Sequence, residues 1–163
     1  MKLRLLAAVA LAALVGLSLP GPSPAADQLS VYNTLASRKE HSVLLVAVAE
    51  AKAEKMLKDE GPYTLFAPTD AAFRVLGDAA IKKIVGNKDA ANQLLRAHLV
   101  AGKYPEVKLK TPAGQEFPTL QGTALKVFEK DGLRVGDAKL VATDIECNNG
   151  VIHVIDAVLP VGK

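Results

Sequence analysis

Two stretches decide the fold of this chain: YTLFAPTDAAF at Tyr63–Phe73 and NGVIHVID at Asn149–Asp156. Each contains a short run of apolar, β-branched or aromatic residues, which is the composition of a buried strand. In the first stretch the strand runs into Thr69 and Asp70, where Thr69 can cap a following helix and Asp70 suits its positive end. Neither stretch offers a nucleophile, a metal-ligand cluster or a phosphate loop, so the pair predicts a fold before it predicts a chemistry.

The start of the chain carries the pattern of a secretory signal peptide. Lys2 and Arg4 precede an apolar run over 5–19, and small residues follow up to Ala25 and Ala26, after either of which we expect cleavage. A retained membrane anchor is the alternative, but the run is shorter than the ~20 residues that a spanning helix needs. We therefore expect a signal peptide over 1–26, a single domain over 27–163 without a membrane span, and a periplasmic or extracellular location.

The charge of the chain narrows the class of partner that it can bind. The chain has 20 Lys and Arg against 17 Asp and Glu, and Lys2 and Arg4 leave with the signal peptide. A nucleic-acid partner is not expected, because binding to nucleic acid needs clustered surplus positive charge.

Cys147 is the only cysteine, so no intramolecular disulfide can form. Its thiol is expected to be a small, half-buried apolar group; a reactive thiol or a link between two chains is the alternative.

The first half of the mature chain reads as helical. Apolar residues recur at helical spacing over 29–57, which predicts two or three helices with Ser30 and Ser42 as N-caps. Further helices are expected over 79–85 and 89–99, and Gly102 should stop the last one.

Beyond residue 103 the apolar period becomes that of strands. Segments are expected near 109 and over 117–120, 125–128, 133–135, 140–145 and 151–159. The pairs Asp131-Gly132 and Gly136-Asp137 mark turns between them. Helices followed by antiparallel strands are typical of an α+β domain rather than of an alternating α/β domain.

Three ordered segments resemble the fasciclin domain family. Gly61–Phe73 is similar to the first family signature, Asn149–Asp156 with Leu159-Pro160 to the second, and Leu94–Tyr104 to the segment with the family's characteristic His. The resemblance implies that the two signatures are neighbouring strands of a β-wedge with helices packed alongside. The residues that match the family pattern, to which we assign structural roles, are Thr64, Phe66, Pro68, Thr69, Phe73, His98, Gly150, His153 and Asp156.

The resemblance also implies a role. Fasciclin domains, which also occur in the beta-Ig-H3 proteins, are secreted or surface-bound modules of adhesion and matrix contact without known catalytic machinery. A shared fold does not by itself determine which ligand is bound. An Asp-Ile pair before the last signature belongs to a proposed integrin-binding motif in animal members, and Asp144 and Ile145 stand there with different flanks. Ala97 stands where those members often have a Tyr, and Ala51–Ala53 where a Gly is common. Asp144 and Ile145 are the candidate partner contacts; alternatively they form a strand end with Ile145 inward and Asp144 in solvent.

Catalysis has little support from the residues. His98 and His153 have no partner at metal-ligand spacing, so we expect His98 to be hydrogen-bonded in the core and His153 to be half-buried in a strand. No nucleophile elbow or nucleotide-binding loop occurs. A pair of Cys147 with a His stays open, because such partners meet only in the fold. We expect no catalytic residue, no metal and no cofactor.

Three hypotheses follow. The leading one is a secreted, non-catalytic module that contacts a cell-surface or matrix protein or glycan. The alternative is a soluble periplasmic protein that binds a small apolar ligand between helices and wedge, which an apolar pocket with one or two polar groups would favour. The third is an exported hydrolase that uses Cys147 or His98, which requires a cleft holding both and a depressed thiol pKa.

Overall fold

The computed structural model describes residues 29–110 and 114–161, so the expected signal peptide lies outside the described residues. Helices α1 to α7 span Val31–Ala36, Ser42–Glu50, Glu54–Asp59, Asp70–Leu76, Asp78–Val85, Lys88–His98 and Glu106–Leu109, and a 3₁₀ turn covers Lys39–His41. Strands β1 to β7 span Tyr63–Pro68, Leu99–Ala101, Gln115–Pro118, Ala124–Glu129, Leu133–Val135, Ala138–Cys147 and Gly150–Ile155. Within these described ranges, no helix has the length and apolar character needed to cross a membrane.

The strands form one sheet in the order β2-β1-β7-β6-β5-β4-β3. The signature strands β1 and β7 are neighbours, as the resemblance implied, and they run parallel, with Tyr63 opposite Gly150 and Pro68 opposite Ile155. Every other neighbouring pair of strands is antiparallel. The α+β class is confirmed, but the sheet is mixed rather than wholly antiparallel. Its two edges meet at a bridge between Val100 and Thr119, which almost closes a wedge.

Two apolar clusters fill the space on either side of the signature strands. Leu65 and Ile152 belong to the cluster under the helices, whereas Phe66 and Ile155 belong to the cluster inside the wedge. Neighbouring residues of a strand point to opposite faces, so β1 serves both clusters. This double burial explains why both signatures are nearly continuous apolar runs, as parallel strands covered on two faces usually are.

One of the two predicted N-caps is wrong. Ser30 caps α1 by accepting from the backbone N–H of Asn33 at 3.3 Å. Ser42 instead is the first residue of α2, and its hydroxyl donates to the carboxylate of Asp70. Asp70 also accepts from the N–H of Val43 at 2.9 Å. The carboxylate that begins α4 therefore caps α2 as well, a long-range contact that no local pattern could reveal.

The other corrections concern the ends of elements. The strand expected near Leu109 is the short helix α7. Helix α6 ends at His98, because residues 99–101 pair with β1 as strand β2 instead of continuing the helix to Gly102. Strand β7 ends at Ile155 rather than at 159. The turn at Asp131-Gly132 joins β4 to β5 with positive φ at both residues, as its sequence predicts.

Helix α2 ends in a conformation that its sequence does not favour. Lys52 has φ 54°, and its N–H bonds to Ala49 O at 3.0 Å while Ala53 N–H bonds to Val48 O at 3.1 Å. These two bonds form a Schellman motif, which places Lys52 at the left-handed position that Gly usually occupies. The left-handed conformation explains why the family that this chain resembles commonly has a Gly at this junction.

Candidate functional site

Asp144 lies on a β-bulge in β6. The pairing of β6 with β7 jumps from Ala142 opposite Val154 to Ile145 opposite Ile152, so two residues of β6 face the single residue His153. Asp144 adopts φ 55°, a conformation that Asp tolerates better than most residues. Its side chain is exposed, while Ile145 is half-buried against the core under the helices. The pair thus sits within a strand rather than at its end, although Ile145 does point inward.

Helix α7 holds the Asp144 side chain in place. The Oδ1 atom of Asp144 accepts from the N–H of Glu106, the first residue of α7, at 2.7 Å. The Glu106 carboxylate accepts from the Thr143 hydroxyl and forms an ion pair with Lys110. Lys110 first, and then Thr143, hold the pKa of Glu106 below its usual value, so Glu106 is ionised near neutral pH. The Asp144 carboxylate is therefore held by the N–H of Glu106, and the side chain of Glu106 is itself bound to Thr143, the residue before Asp144.

His153 on β7 links the backbone of the bulge to the segment that precedes α7. Its Nδ1 accepts from the N–H of Asp144 at 3.3 Å, its Nε2 donates to Tyr104 O at 2.8 Å, and its ring stacks on Phe66 with centroids 5.7 Å apart. The ring is fully buried rather than half-buried as expected, because β7 is covered on both faces. Burial lowers the pKa of His153. A neutral imidazole, with one donor and one acceptor nitrogen, satisfies both contacts.

Thr64 connects the first signature to the same region. Its hydroxyl donates to Gly102 O at 2.7 Å and accepts from the N–H of Tyr104 at 3.0 Å. Thr64 and His153 therefore both hold the segment around Tyr104 that leads into α7. Because α7 in turn binds Asp144, the buried signatures position an exposed group that lies outside them.

The first signature also builds the junction between β1 and α4. Pro68 O accepts from Nδ1 of the buried His41 at 3.0 Å. Thr69 caps α4 by accepting from Ala72 N–H at 3.3 Å, and the side chain of Phe73 is fully buried beneath the helices. These contacts set the angle at which the helices leave the sheet.

The second signature is fixed at both of its ends. At Gly150, a Cβ atom would lie 2.1 Å from Tyr63 O, so only glycine lets β7 approach β1 here. At the other end, Asp156 Oδ1 accepts from Lys139 N–H at 2.8 Å and so ties the end of β7 to β6.

His98 is hydrogen-bonded within the core. Nδ1 donates to Leu94 O at 2.7 Å, and Nε2 accepts from Leu159 N–H at 3.0 Å. The ring has no exposed surface, and this burial lowers its pKa to about 4. His98 is a neutral link between α6 and the segment that follows β7.

The contacts required for the hydrolase hypothesis do not form. The Cys147 thiol is buried beside the Thr34 hydroxyl at 3.4 Å, and burial raises its pKa, whereas an activated thiol needs a lowered one. Backbone groups occupy both ring nitrogens of His98. Over 29–110 and 114–161, no group of three or more His, Cys, Asp or Glu residues could hold a metal ion.

Asn149 has a structural role that the sequence analysis missed. Its Oδ1 accepts from Val31 N–H at 2.8 Å, and its Nδ2 donates to Leu57 O at 2.9 Å and to Glu60 O at 2.8 Å. One side chain thereby joins the turn before β7 to α1 and to the end of α3. Its position beside the glycine of the second signature was the available signal, but the partners are distant in sequence.

An apolar groove lies between the helices and the end of the chain. Two adjoining cavities of about 330 and 350 Å³ share the lining residues Leu76, Ile84 and Val161. Leu76 is 45% exposed and Val161 39% exposed. Polar groups lie at separate places in the groove, with Asp137 lining the first cavity and Lys83 the second.

Comparisons with known proteins relate the whole arrangement to one family. Residues 39–161 match the family model described as Fasciclin domain. The protein sll1735 of Synechocystis, described as uncharacterized, is 33% identical over 133 residues, which cover 82% of this chain and 98% of that protein. Human periostin is 31% identical over 132 residues, 80% of this chain but 16% of periostin. Immunogenic protein MPB70 of Mycobacterium bovis is 33% identical over 102 residues, 62% of this chain and 51% of that protein.

A solved structure has the same fold. It is a FAS1 domain pair from the insect cell adhesion molecule fasciclin I, which superposes with a TM-score of 0.68 at 21% identity over 81% of this chain and 51% of that chain. The helices and the mixed seven-stranded sheet therefore form the FAS1 fold. Because the family match includes both signatures and the intervening His98 segment, the chain belongs to the fasciclin domain family.

Proposed function

We propose that this protein is an exported, non-catalytic interaction module that contacts a cell-surface or matrix protein or glycan through the Asp144 bulge. The observation that carries the proposal is an exposed carboxylate held on a rigid bulge by Glu106 and His153. A contact group that is already fixed loses little conformational entropy when it binds. Membership of the fasciclin family and the likeness to a cell adhesion molecule support the adhesive role.

The surroundings of Asp144 suit a contact with a macromolecule. Val107, which follows Glu106 in α7, is 77% exposed. Glu146, two residues after Asp144 in β6, forms an ion pair at 2.6 Å with Lys103, which follows β2. An exposed apolar side chain together with charged groups matches the mixed composition of a non-obligate interface.

The test separates the charge of Asp144 from its structural role. Asp144→Asn keeps an oxygen that can accept from Glu106 N–H and a residue that tolerates positive φ, but it removes the charge. Asp59→Asn, an exposed acid on α3, is the matched control. Binding of the labelled protein to cells of its source and to their envelope polysaccharide is then measured.

We expect saturable binding that Asp144→Asn weakens about tenfold or more, as loss of a charge-assisted contact should, while Asp59→Asn has no effect. Equal binding by both variants would remove Asp144 from the contact. Failure of the unmodified protein to bind any of these surfaces would refute the interaction function itself.

A second function is favoured by the apolar groove: binding of a small apolar ligand with an anionic end. The joined cavities have the size of a small-molecule site, and Lys83 belongs to no ion pair within the described part of the chain. Decanoate is a suitable probe, with Ala80→Leu to fill the groove and Lys82→Ala as a surface control. Retained decanoate binding in Ala80→Leu, or none in the unmodified protein, would exclude this function.

A further inference from the structure

The outer face of β4, β5 and β6 carries an aromatic ring and two cations in one row. Phe128 lies opposite Arg134, and Arg134 lies opposite Lys139. Residues in register on neighbouring strands share a face and lie side by side. Phe128 and Arg134 are half-buried and Lys139 is exposed. The residues on both sides of Arg134 and of Lys139 in sequence, and Val127 beside Phe128, are instead buried in the wedge.

The row borders a shallow polar depression of about 340 Å³. Phe128, Lys130, Asp131, Arg134, Gly136 and Asp137 line it. Arg134 Nη1 donates to Asp137 O at 3.4 Å, which orients the guanidinium group. The stem of Lys139 passes beside Gly132, since its Cε lies 3.3 Å from where a Cβ of Gly132 would be. Lys139 therefore stays close to the turn that forms one wall of the depression.

The cations of this outer-face depression are available to a ligand. Lys130, Arg134 and Lys139 take part in no ion pair within residues 29–110 and 114–161. Asp131 and Asp137 add carboxylates at the two turns that frame the site. The two carboxylates would repel a ligand that has anionic groups but no hydroxyl groups. A neutral sugar, in turn, would leave the three cations without a counter-charge.

We propose that the outer-face depression binds hexuronate units of an acidic polysaccharide. Arg134 and Lys139 pair with the sugar carboxylate, Asp131 and Asp137 accept from its hydroxyls, and the Phe128 ring packs on the apolar face of the sugar ring. The inference goes beyond the proposed interaction function, because it gives the protein a second contact site, distinct from the Asp144 bulge, and names the glycan class for that site.

The test uses an oligosaccharide series and calorimetric titration of the purified protein. The probes are hexagalacturonate, neutral maltohexaose and a heparin-derived hexasaccharide. The variants are Arg134→Gln and Phe128→Leu, and Lys55→Gln, an exposed cation on α3, is the charge-matched control. Circular dichroism verifies that each variant is folded.

Hexagalacturonate should bind, and Arg134→Gln should weaken its binding about tenfold, with Lys55→Gln unchanged. Phe128→Leu should also weaken it, because leucine keeps apolar volume but lacks the flat ring. Tighter binding of the heparin fragment, weakened equally by Lys55→Gln, would overturn the proposal in favour of non-specific attraction to polyanions. No hexagalacturonate binding by a protein that still binds cells would overturn this site while leaving the interaction function intact; loss of both would refute both.

Discussion

His98 should make the stability of this protein depend on pH in a way that one substitution can isolate. In the folded chain Nε2 must stay unprotonated, because it accepts from Leu159 N–H. Burial lowers the pKa of His98 to about 4 from its ordinary 6.5. The unfolded chain therefore binds a proton at a higher pH than the folded chain does, and stability falls as pH falls from about 6.5 to about 4.

The size of the effect follows from the two pKa values. Each pKa unit is worth about 1.4 kcal/mol, so His98 alone should account for a loss of about 3 kcal/mol across this pH range. The whole contribution is present above the unfolded pKa and has disappeared below the folded one. His153 and the carboxylates Asp70 and Glu106 also lower stability as the pH falls, so the unmodified protein alone cannot isolate His98.

The variant His98→Gln provides the comparison. Its amide oxygen can reach the place of Nε2 and accept from Leu159 N–H, but it does not titrate. Urea unfolding at pH 7, 6, 5 and 4 should be followed by far-ultraviolet circular dichroism, because the chain has no tryptophan. We expect the variant to lose about 3 kcal/mol less than the unmodified protein between pH 7 and 4. Parallel stability profiles for the two proteins would show that His98 is not the group responsible.

Three further predictions concern stability and reactivity. Lys52→Gly should raise the free energy of unfolding by up to about 1 kcal/mol, because glycine relieves the left-handed conformation, whereas Lys52→Ala should not; equal effects of the two in urea unfolding would contradict this. Asn149→Ala removes three hydrogen bonds and should lower the free energy of unfolding by about 2–4 kcal/mol; a loss below about 1 kcal/mol would mean that water replaces them. Cys147 should react with a thiol reagent at pH 8 only as fast as the protein opens, so rapid labelling of the native protein would contradict its burial.

Local sequence signals were sufficient where the structure depends on neighbouring residues. The Thr69 cap, the turn at Asp131-Gly132 and strand β5 at Leu133–Val135 lie where the sequence predicts them. In each case the residue that causes the feature lies within a few positions of its effect. The same holds for the two apolar signatures, since a strand buried on both faces needs no partner to be recognised.

The features that the sequence mispredicts are those that depend on contacts between residues distant in sequence. Ser42 looked like an N-cap, but its hydroxyl binds Asp70 on another helix. Residues 99–101 continue the apolar pattern of α6, and only pairing with β1 makes them a strand. The β6 bulge requires knowledge of its register with β7, which no single segment contains. For the candidate site, the resemblance indicated Asp144 and Ile145 but not Glu106 or Tyr104, whose contacts span the fold.

The division between buried signature residues and exposed contact residues also explains why the fold of this chain is easier to predict from its sequence than its ligand is. The signature residues Thr64 and His153 are buried, and their hydrogen bonds reach the surface through the backbone of Gly102, Tyr104 and Asp144. The groups that would touch a partner, such as the side chain of Val107, are exposed and contribute little to packing. Changes at such positions cost little stability, so one buried frame can present different contact surfaces. A ligand should therefore be sought by measuring binding at the exposed positions, because most of the side chains that identify the family are buried.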